Sequence, residues 1–292
     1  MIRKKFSVID WNIGFISTSF SELLQGKEYT IEWMKHEYKD RFFADPFVYN
    51  ESDTCFEILA EEYLFVEMIG RIVKLTVNKK DKQLLDRKLL LKTKYHLSYP
   101  FISGNIFIPE QSKSGKLIAY DFDSKKERVL ANIGLVDATI LERNGQKWIF
   151  ATLLDGTPDA ARKNLSRFKI DDNGNIDIDS KLLIKNDLYN SRPGGAFFES
   201  EGILYRPAQN STNAVYGESI SINKVLENSE KKYLEECVLT IDSHQSNKYT
   251  DGLHTFNITC EGAVVDGFQL SFRPLQKILS KLVHMGGRSH VK

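Results

Sequence analysis

At 292 residues the chain is long enough to bury about three quarters of its unfolded surface, so disulfides or structural metals are not needed to hold it together. Hydrophobic residues make up 41% and charged residues 27%, as in an ordinary globular protein, and the net charge of +1 carries no electrostatic signature of a nucleic-acid binder. Cys55, Cys237 and Cys260 are scattered, odd in number and without CxxC pairing, which fits a reducing compartment and argues against a zinc site. No apolar stretch of signal-peptide length precedes Asp10, and no run approaches the ~20 apolar residues of a membrane span. A cytoplasmic protein is therefore expected.

In chain order, the opening FSVIDWNIG reads as a strand, and Ser19 to Glu22 as a capping box starting a short helix that Gly26 closes. Nearly everything from there to residue 272 reads as short strands with turn signals. Residues 114–130, with Leu117, Ala119 and Phe122 followed by a polar SKK, form one outer hairpin. A weak internal repeat organises these strands. Five openings, ADPFV (44–48), SYPFI (98–102), VDATI (136–140), RPGGAF (192–197) and LHTFN (253–257), are each followed by a second strand. Those are CFEILA (55–60), NIFIP (105–109), KWIF (147–150), GILYR (202–206) and GAVVD (262–266). The spacing is that of a four-stranded blade, and five such units consume the chain. The expected fold is all-β, a five-bladed propeller over 1–272 closed by the N-terminal strand, because an open blade would leave an unpaired edge. Residues 273–292 form a basic amphipathic helix and tail: Leu275, Ile278, Leu279 and Leu282 recur at helical spacing, with Arg273, Lys277, Lys281, Arg288 and Lys292 among them. Such a helix suits either packing on the propeller or contact with an anionic membrane surface.

In a propeller the innermost strands start at one mouth of the central channel, so the repeat heads meet there. They carry Asp45, His96, Ser98, Asp137, Arg192 and His254, and the second strands add Glu67, Glu110, Arg206, Gln209, Asn210 and Asp266. Acids, histidines and arginines converging from five blades are costly to bury unless paired or used. The carboxylates Asp45, Asp137 and Glu110 are the candidates for catalysis. His96, Ser98, Arg192, Arg206, Asn210, His254 and Asp266 are the candidates for substrate binding. Guanidinium groups grip phosphate, so this set suits an anionic ligand. GRIV (70–73) and GGRS (286–289) are too short and wrongly placed for phosphate loops, and DFD (121–123) and DID (177–179) read as solvated turns. No metal and no cofactor is expected.

Taken in order, FADPF, YHLSYPF with IPE, VDATI, SRPGG, LYRPAQN with YGESI, and GLHTFN with VVDG resemble the propeller domain at the N-terminus of plant glucosamine inositolphosphorylceramide transferases, over residues 42 to 268. The resemblance implies a fold similar to the five-bladed propellers of family 43 and family 32 glycoside hydrolases. In inverting members of that type a carboxylate base, a positioning Asp and a Glu acid come from three blades. Asp45 matches the base and Asp137 the positioning residue, but Arg192 stands near the head of the fourth blade where the acid belongs, and an arginine cannot donate a proton. Glu110 and Glu67 remain as stand-ins. With Arg192, Arg206, His96 and His254 beside these carboxylates suiting a phosphate-linked donor, the expected activity is that of a glycosyltransferase in bacterial surface polysaccharide or glycolipid assembly. Its donor would be a sugar nucleotide or sugar phosphate and its acceptor a glycan or glycolipid, at the inner face of the membrane, with no nucleic acid involved. A glycoside hydrolase or phosphorylase, or a non-catalytic sugar-binding propeller, are the alternatives.

Overall fold

The computed structural model describes residues 7–157, 159–171, 173–212 and 216–287. Five four-stranded antiparallel sheets follow one another around a ring. The first blade is β3 (Arg41–Glu51), β4 (Cys55–Leu64), β5 (Ile69–Asn78) and β6 (Leu84–Leu91), from the innermost strand outward. The second is β7 (Ser98–Ser103), β8 (Ile106–Glu110), β9 (Leu117–Asp121) and β10 (Glu127–Ala131). The third comprises β11 (Leu135–Arg143), β12 (Gln146–Leu153), β13 (Asn164–Ile170) and β14 (Ile176–Asn186). The fourth holds β15 (Phe198–Ser200), β16 (Ile203–Asn210), β17 (Ser219–Asn228) and β18 (Tyr233–Ile241).

The fifth blade joins the two ends of the chain. Its order is β19 (Gly252–Ile258), β20 (Ala263–Phe272), β1 (Ser7–Ile16) and β2 (Glu32–Trp33). Strand β1 pairs with β20 without a break from Ser7↔Phe272 to Ile16↔Ala263. This closure removes the sheet edge that an open ring would expose. The expected propeller, its five repeats and the closing role of the N-terminal strand are all present. The 114–130 hairpin is the outer pair of blade two.

Burial follows position in the blade. Middle strands lie between neighbouring blades and are covered on both faces, so β12 is buried from Trp148 to Leu153. Outer strands face water on one side, and β18 alternates instead. Blades are joined by mixed clusters such as Ile220 and Ile222 of blade four with Phe256 and Val265 of blade five. Helix α1 (Phe20–Leu24) begins at Ser19, whose hydroxyl accepts from the Glu22 N–H while the Glu22 carboxylate accepts from the Ser19 N–H, the expected capping box. Helix α2 (Ala160–Lys163) is one turn in blade three. Helix α3 (Pro274–Gly287) follows β20, and Arg288 and Lys292 of the anticipated basic tail lie outside the described residues. Among the described residues no helix is long and apolar enough to cross a membrane.

Candidate active site at the heads of the inner strands

Four inner strands open with the same irregularity. The β3–β4 register slips between Ala44 and Phe47, β7–β8 between Ser98 and Phe101, β11–β12 between Val136 and Thr139, and β19–β20 between Leu253 and Phe256. The extra residues are Asp45, Tyr99, Asp137 and His254 with their followers. Asp45, Tyr99 and Asp137 hold φ of 51°, 42° and 52°, a region that side-chain-bearing residues rarely enter. Each such residue costs roughly 1–3 kcal/mol, and bulges beside active sites re-aim side chains in this way. In blade four the head is Pro193-Gly194-Gly195 and β15 starts only at Phe198. Proline has no N–H to pair there. A Cβ on Gly195, at φ 153°, would lie 2.0 Å from Phe256 O.

The heads meet at a cavity of about 360 Å³ lined by Asp45, Glu61, His96, Ser98, Glu110 and Arg192, with Trp11, Tyr216 and His254 on one wall. Asp45 is buried, and its Oδ2 accepts from the Tyr99 N–H at 3.0 Å while Oδ1 lies 3.1 Å from Thr255 Oγ1. Burial pushes its carboxyl up to about 6; His254 opposes that rise and Asp266 and Asp137 add to it. A carboxylate with this value is ionised at neutral pH yet basic enough to take a proton.

Asp266 lies beneath. Its oxygens accept from Asp45 N (2.8 Å), Thr255 N (2.9 Å) and His254 Nδ1 (2.7 Å), tying blade one to blade five. The His254 ring stacks on Trp11 with centroids 4.0 Å apart, and its Nε2 is 3.6 Å from Asp45 Oδ1. Burial works against its imidazolium, but Asp266 and Asp45 outweigh burial and raise its pKa. Asp45, His254 and Asp266 each offer an atom within 4.8 Å of the others. Because Asp266 and the His254 Nδ1 are already spent on one another, the trio is an internally paired cluster rather than an open ligand set.

Next to the Tyr216 wall, Arg192 grips Asp137, with Nε to Oδ2 at 2.6 Å and Nη2 to Oδ1 at 3.3 Å, and its guanidinium lies 5.1 Å from the Tyr216 ring centroid. Gln209 Nε2 donates to the same Asp137 Oδ2 at 2.8 Å. Glu110 is paired across the sheet with Ser98, accepts from the Ser112 N–H at 2.9 Å, and is raised by burial. His96 accepts the Gly70 N–H on Nδ1 at 3.0 Å, so its own proton sits on Nε2, and burial lowers it to about 4 and keeps it neutral.

Asp45, Asp137, Glu110, His96, Ser98, Arg192, His254 and Asp266 are thus brought together. Arg206 and Asn210 are not among the described residues that line the cavity. Arg206 is buried behind it, donating to Glu235 Oε1 and Oε2 at 2.6 and 2.8 Å and to Asn190 O at 2.5 Å. Asn210 donates to Ser219 Oγ at 3.1 Å at the end of β16. Glu67 sits at the surface, 3.1 Å from Lys92.

Residues not singled out from sequence complete the site. Tyr99 Oη accepts from Gly195 N at 2.8 Å and lies 2.9 Å from Thr139 Oγ1, linking blades two, three and four beneath the cavity. Its signal was positional: Tyr99-Pro100 occupies in the second repeat the place of Asp45-Pro46 in the first. Glu61 carried none, being one of two adjacent glutamates on an interior strand.

The family model described as glucosamine inositolphosphorylceramide transferase 1, N-terminal, matches residues 30–260. The transferase of that name from Arabidopsis thaliana is 29% identical over 231 residues, 71% of this chain and 28% of the relative. The one from Oryza sativa subsp. indica is 29% identical over 221 residues, 68% of this chain and 28% of its own length. The chain therefore spans about 28% of the length of the relatives it matches. Among solved structures, a family 32 β-fructofuranosidase of Bombyx mori in complex with sucrose superposes with a TM-score of 0.51 at 7% identity, over 72% of this chain and 53% of that one; at this identity it speaks to the fold alone. With a match running from Thr30 to Cys260 through all five repeat heads and the first four blades, the chain belongs to the family of the N-terminal domain of glucosamine inositolphosphorylceramide transferase 1.

Proposed function

We propose that the chain is a carbohydrate-active enzyme that moves a glycosyl group from a phosphate-linked donor onto an acceptor hydroxyl. One observation carries the reading: a basic carboxylate, Asp45, and a clamped guanidinium, Arg192, line the same cavity. Asp45 takes the proton of the acceptor hydroxyl as that oxygen attacks the anomeric carbon. Asp137 holds Arg192 by two donors and leaves the guanidinium's other N–H groups for the departing phosphate. His254 and Asp266 keep Asp45 oriented. The relatives' name, glucosamine inositolphosphorylceramide transferase, supports a glycolipid substrate for this chain, read here as the acceptor. The exposed apolar side chains of α3, Leu275, Ile278, Leu282 and Val283, support peripheral contact with a membrane, which in this reading is its cytoplasmic face.

Calorimetric titration with uridine and guanosine diphosphates and their sugar conjugates tests the donor. Binding that weakens at least tenfold in Arg192→Gln is expected; equal binding by both proteins removes Arg192 from the phosphate site. A second reading, cleavage of a glycoside by water or phosphate, is favoured by the carboxyl groups of Asp45, Glu61 and Glu110 around one cavity arginine. Release of free sugar or sugar 1-phosphate from oligosaccharides, without any nucleotide donor, would select it.

A further inference from the structure

We infer that Glu61 is the proton donor to the departing oxygen, the acid that the fourth blade does not supply. The inference rests on the reading that a glycosidic bond is made or broken in this cavity. Glu61 stands on β4 directly opposite Ala44, the residue before Asp45, and both carboxyl groups line the cavity. Its side chain is 7% exposed, and Oε1 is buried with no hydrogen-bond partner among the described residues. The neutral His96 faces that oxygen, and its Nε2 stands off at 3.4 Å, longer than an N–H···O bond of full strength.

The niche is built by Gly70. Its N–H fixes the His96 tautomer, and a Cβ at this position would lie 2.4 Å from Glu61 Oε1, 2.5 Å from Leu97 O and 2.8 Å from His96 Cε1. Glycine is required here for space, because Gly70 lies outside the positive-φ set. An ionised Glu61 would face Asp45 and Glu110 across the cavity, and the Arg192 guanidinium is paired with Asp137 rather than with Glu61. An uncompensated buried carboxylate is costly, and protonation relieves it. Burial, with the charges of Asp45 and Glu110 added, holds this carboxyl well above its ordinary value.

The step balances without another reactant. The acceptor oxygen gives its proton to Asp45 and bonds to the anomeric carbon. The bond from that carbon to the leaving oxygen breaks, its electron pair stays on that oxygen, and the Glu61 proton is transferred there. Glu61 ends as a carboxylate and Asp45 as an acid, and solvent returns the proton. Such a donor makes sugar hydroxyls competent leaving groups, so the site takes glycosides as well as donors whose leaving group is already acidic.

The test uses a 2,4-dinitrophenyl and an alkyl glycoside of one sugar turned over by the wild type, together with the infrared carboxyl spectrum at pH 7. In Glu61→Gln, turnover of the dinitrophenyl glycoside stays within about threefold, that of the alkyl glycoside falls about 10²-fold or more, and a protonated-carboxyl band disappears. Gly70→Ala, which crowds the niche and keeps every acid, shows the same leaving-group split. Equal losses on both glycosides, or an unchanged infrared band in Glu61→Gln, overturn the role. Asp45→Asn loses both substrates; if it loses neither while Glu61→Gln still splits them, the base assignment fails and the donor stands.

Discussion

Glu61 and Glu62 are neighbours on one strand and meet opposite environments. The alternation of β4 sends them to opposite faces. Glu62, with its side chain 0% exposed, accepts from Arg41 Nη1 at 2.8 Å, Arg71 Nε at 2.5 Å and Arg87 Nε at 2.9 Å, all within blade one. Burial alone would raise its carboxyl, but hydrogen bonds from Arg87, Arg41 and Arg71 outweigh burial and hold it below its ordinary value. Glu61 faces the shared cavity, and among the described residues no lysine or arginine is bonded to its Oε1. The same residue type is a structural anchor when its partners come from its own blade and a chemical group when it looks into the ring. Blade four repeats the contrast with arginines, since Arg206 is closed by Glu235 and two carbonyls while Arg192 keeps an open side toward the cavity.

The largest expected effect comes from Glu62→Gln, which strands three guanidinium groups. It should cost about 3–5 kcal/mol of unfolding free energy in urea titration, with turnover per folded molecule unchanged. Glu61→Gln should cost nothing or stabilise, and equal losses from the two variants would erase the contrast. Next comes Arg206→Met, which leaves Glu235 buried without its main partner and is expected to cost about 3 kcal/mol without weakening ligand binding. Arg192→Met should do the reverse, losing ligand affinity by about tenfold or more with a smaller loss of stability. The smallest effect is the pH response of Asp45. With its carboxyl at about 6, turnover should rise as pH increases from 5 to 7. Stability should move the other way: between 3.8 and about 6 the folded chain holds a proton that the unfolded chain has released, so this contribution falls as pH rises. A urea titration of wild type and Asp45→Asn across pH 4 to 7 measures that difference.

The ring was readable because it rests on periodicity. Five polar-headed openings at blade spacing announced the number of blades and the mouth where the heads converge, and the N-terminal strand was the piece left to close it. Chemistry at the heads was readable wherever the polar residue itself lay in the opening, as at Asp45, Asp137, Arg192 and His254. Second-strand residues were harder. Arg206 and Asp266 sit in equivalent second strands, yet Asp266 lies under the cavity floor and Arg206 turns outward to Glu235. That choice depends on which outer strand carries a countercharge, a contact 29 residues away in the case of Arg206. Glu61 was hidden for a related reason, because the bulge at Asp45 resets the local register and no sequence signal reports a positive φ on an aspartate before proline. Of the stand-ins the sequence offers for the acid missing from the fourth blade, Glu110 reaches the cavity and Glu67 does not, while Glu61 shows itself only once the strands are assembled.

Single-turnover measurement of Asp45→Asn on any donor and acceptor pair that the wild type converts tests the account at its centre. A rate loss of about 10²-fold or more with donor affinity retained is expected, because the substitution removes the base and keeps the shape. A variant that turns over at the wild-type rate would contradict it, and would leave the strained carboxylate at the head of β3 without a chemical role.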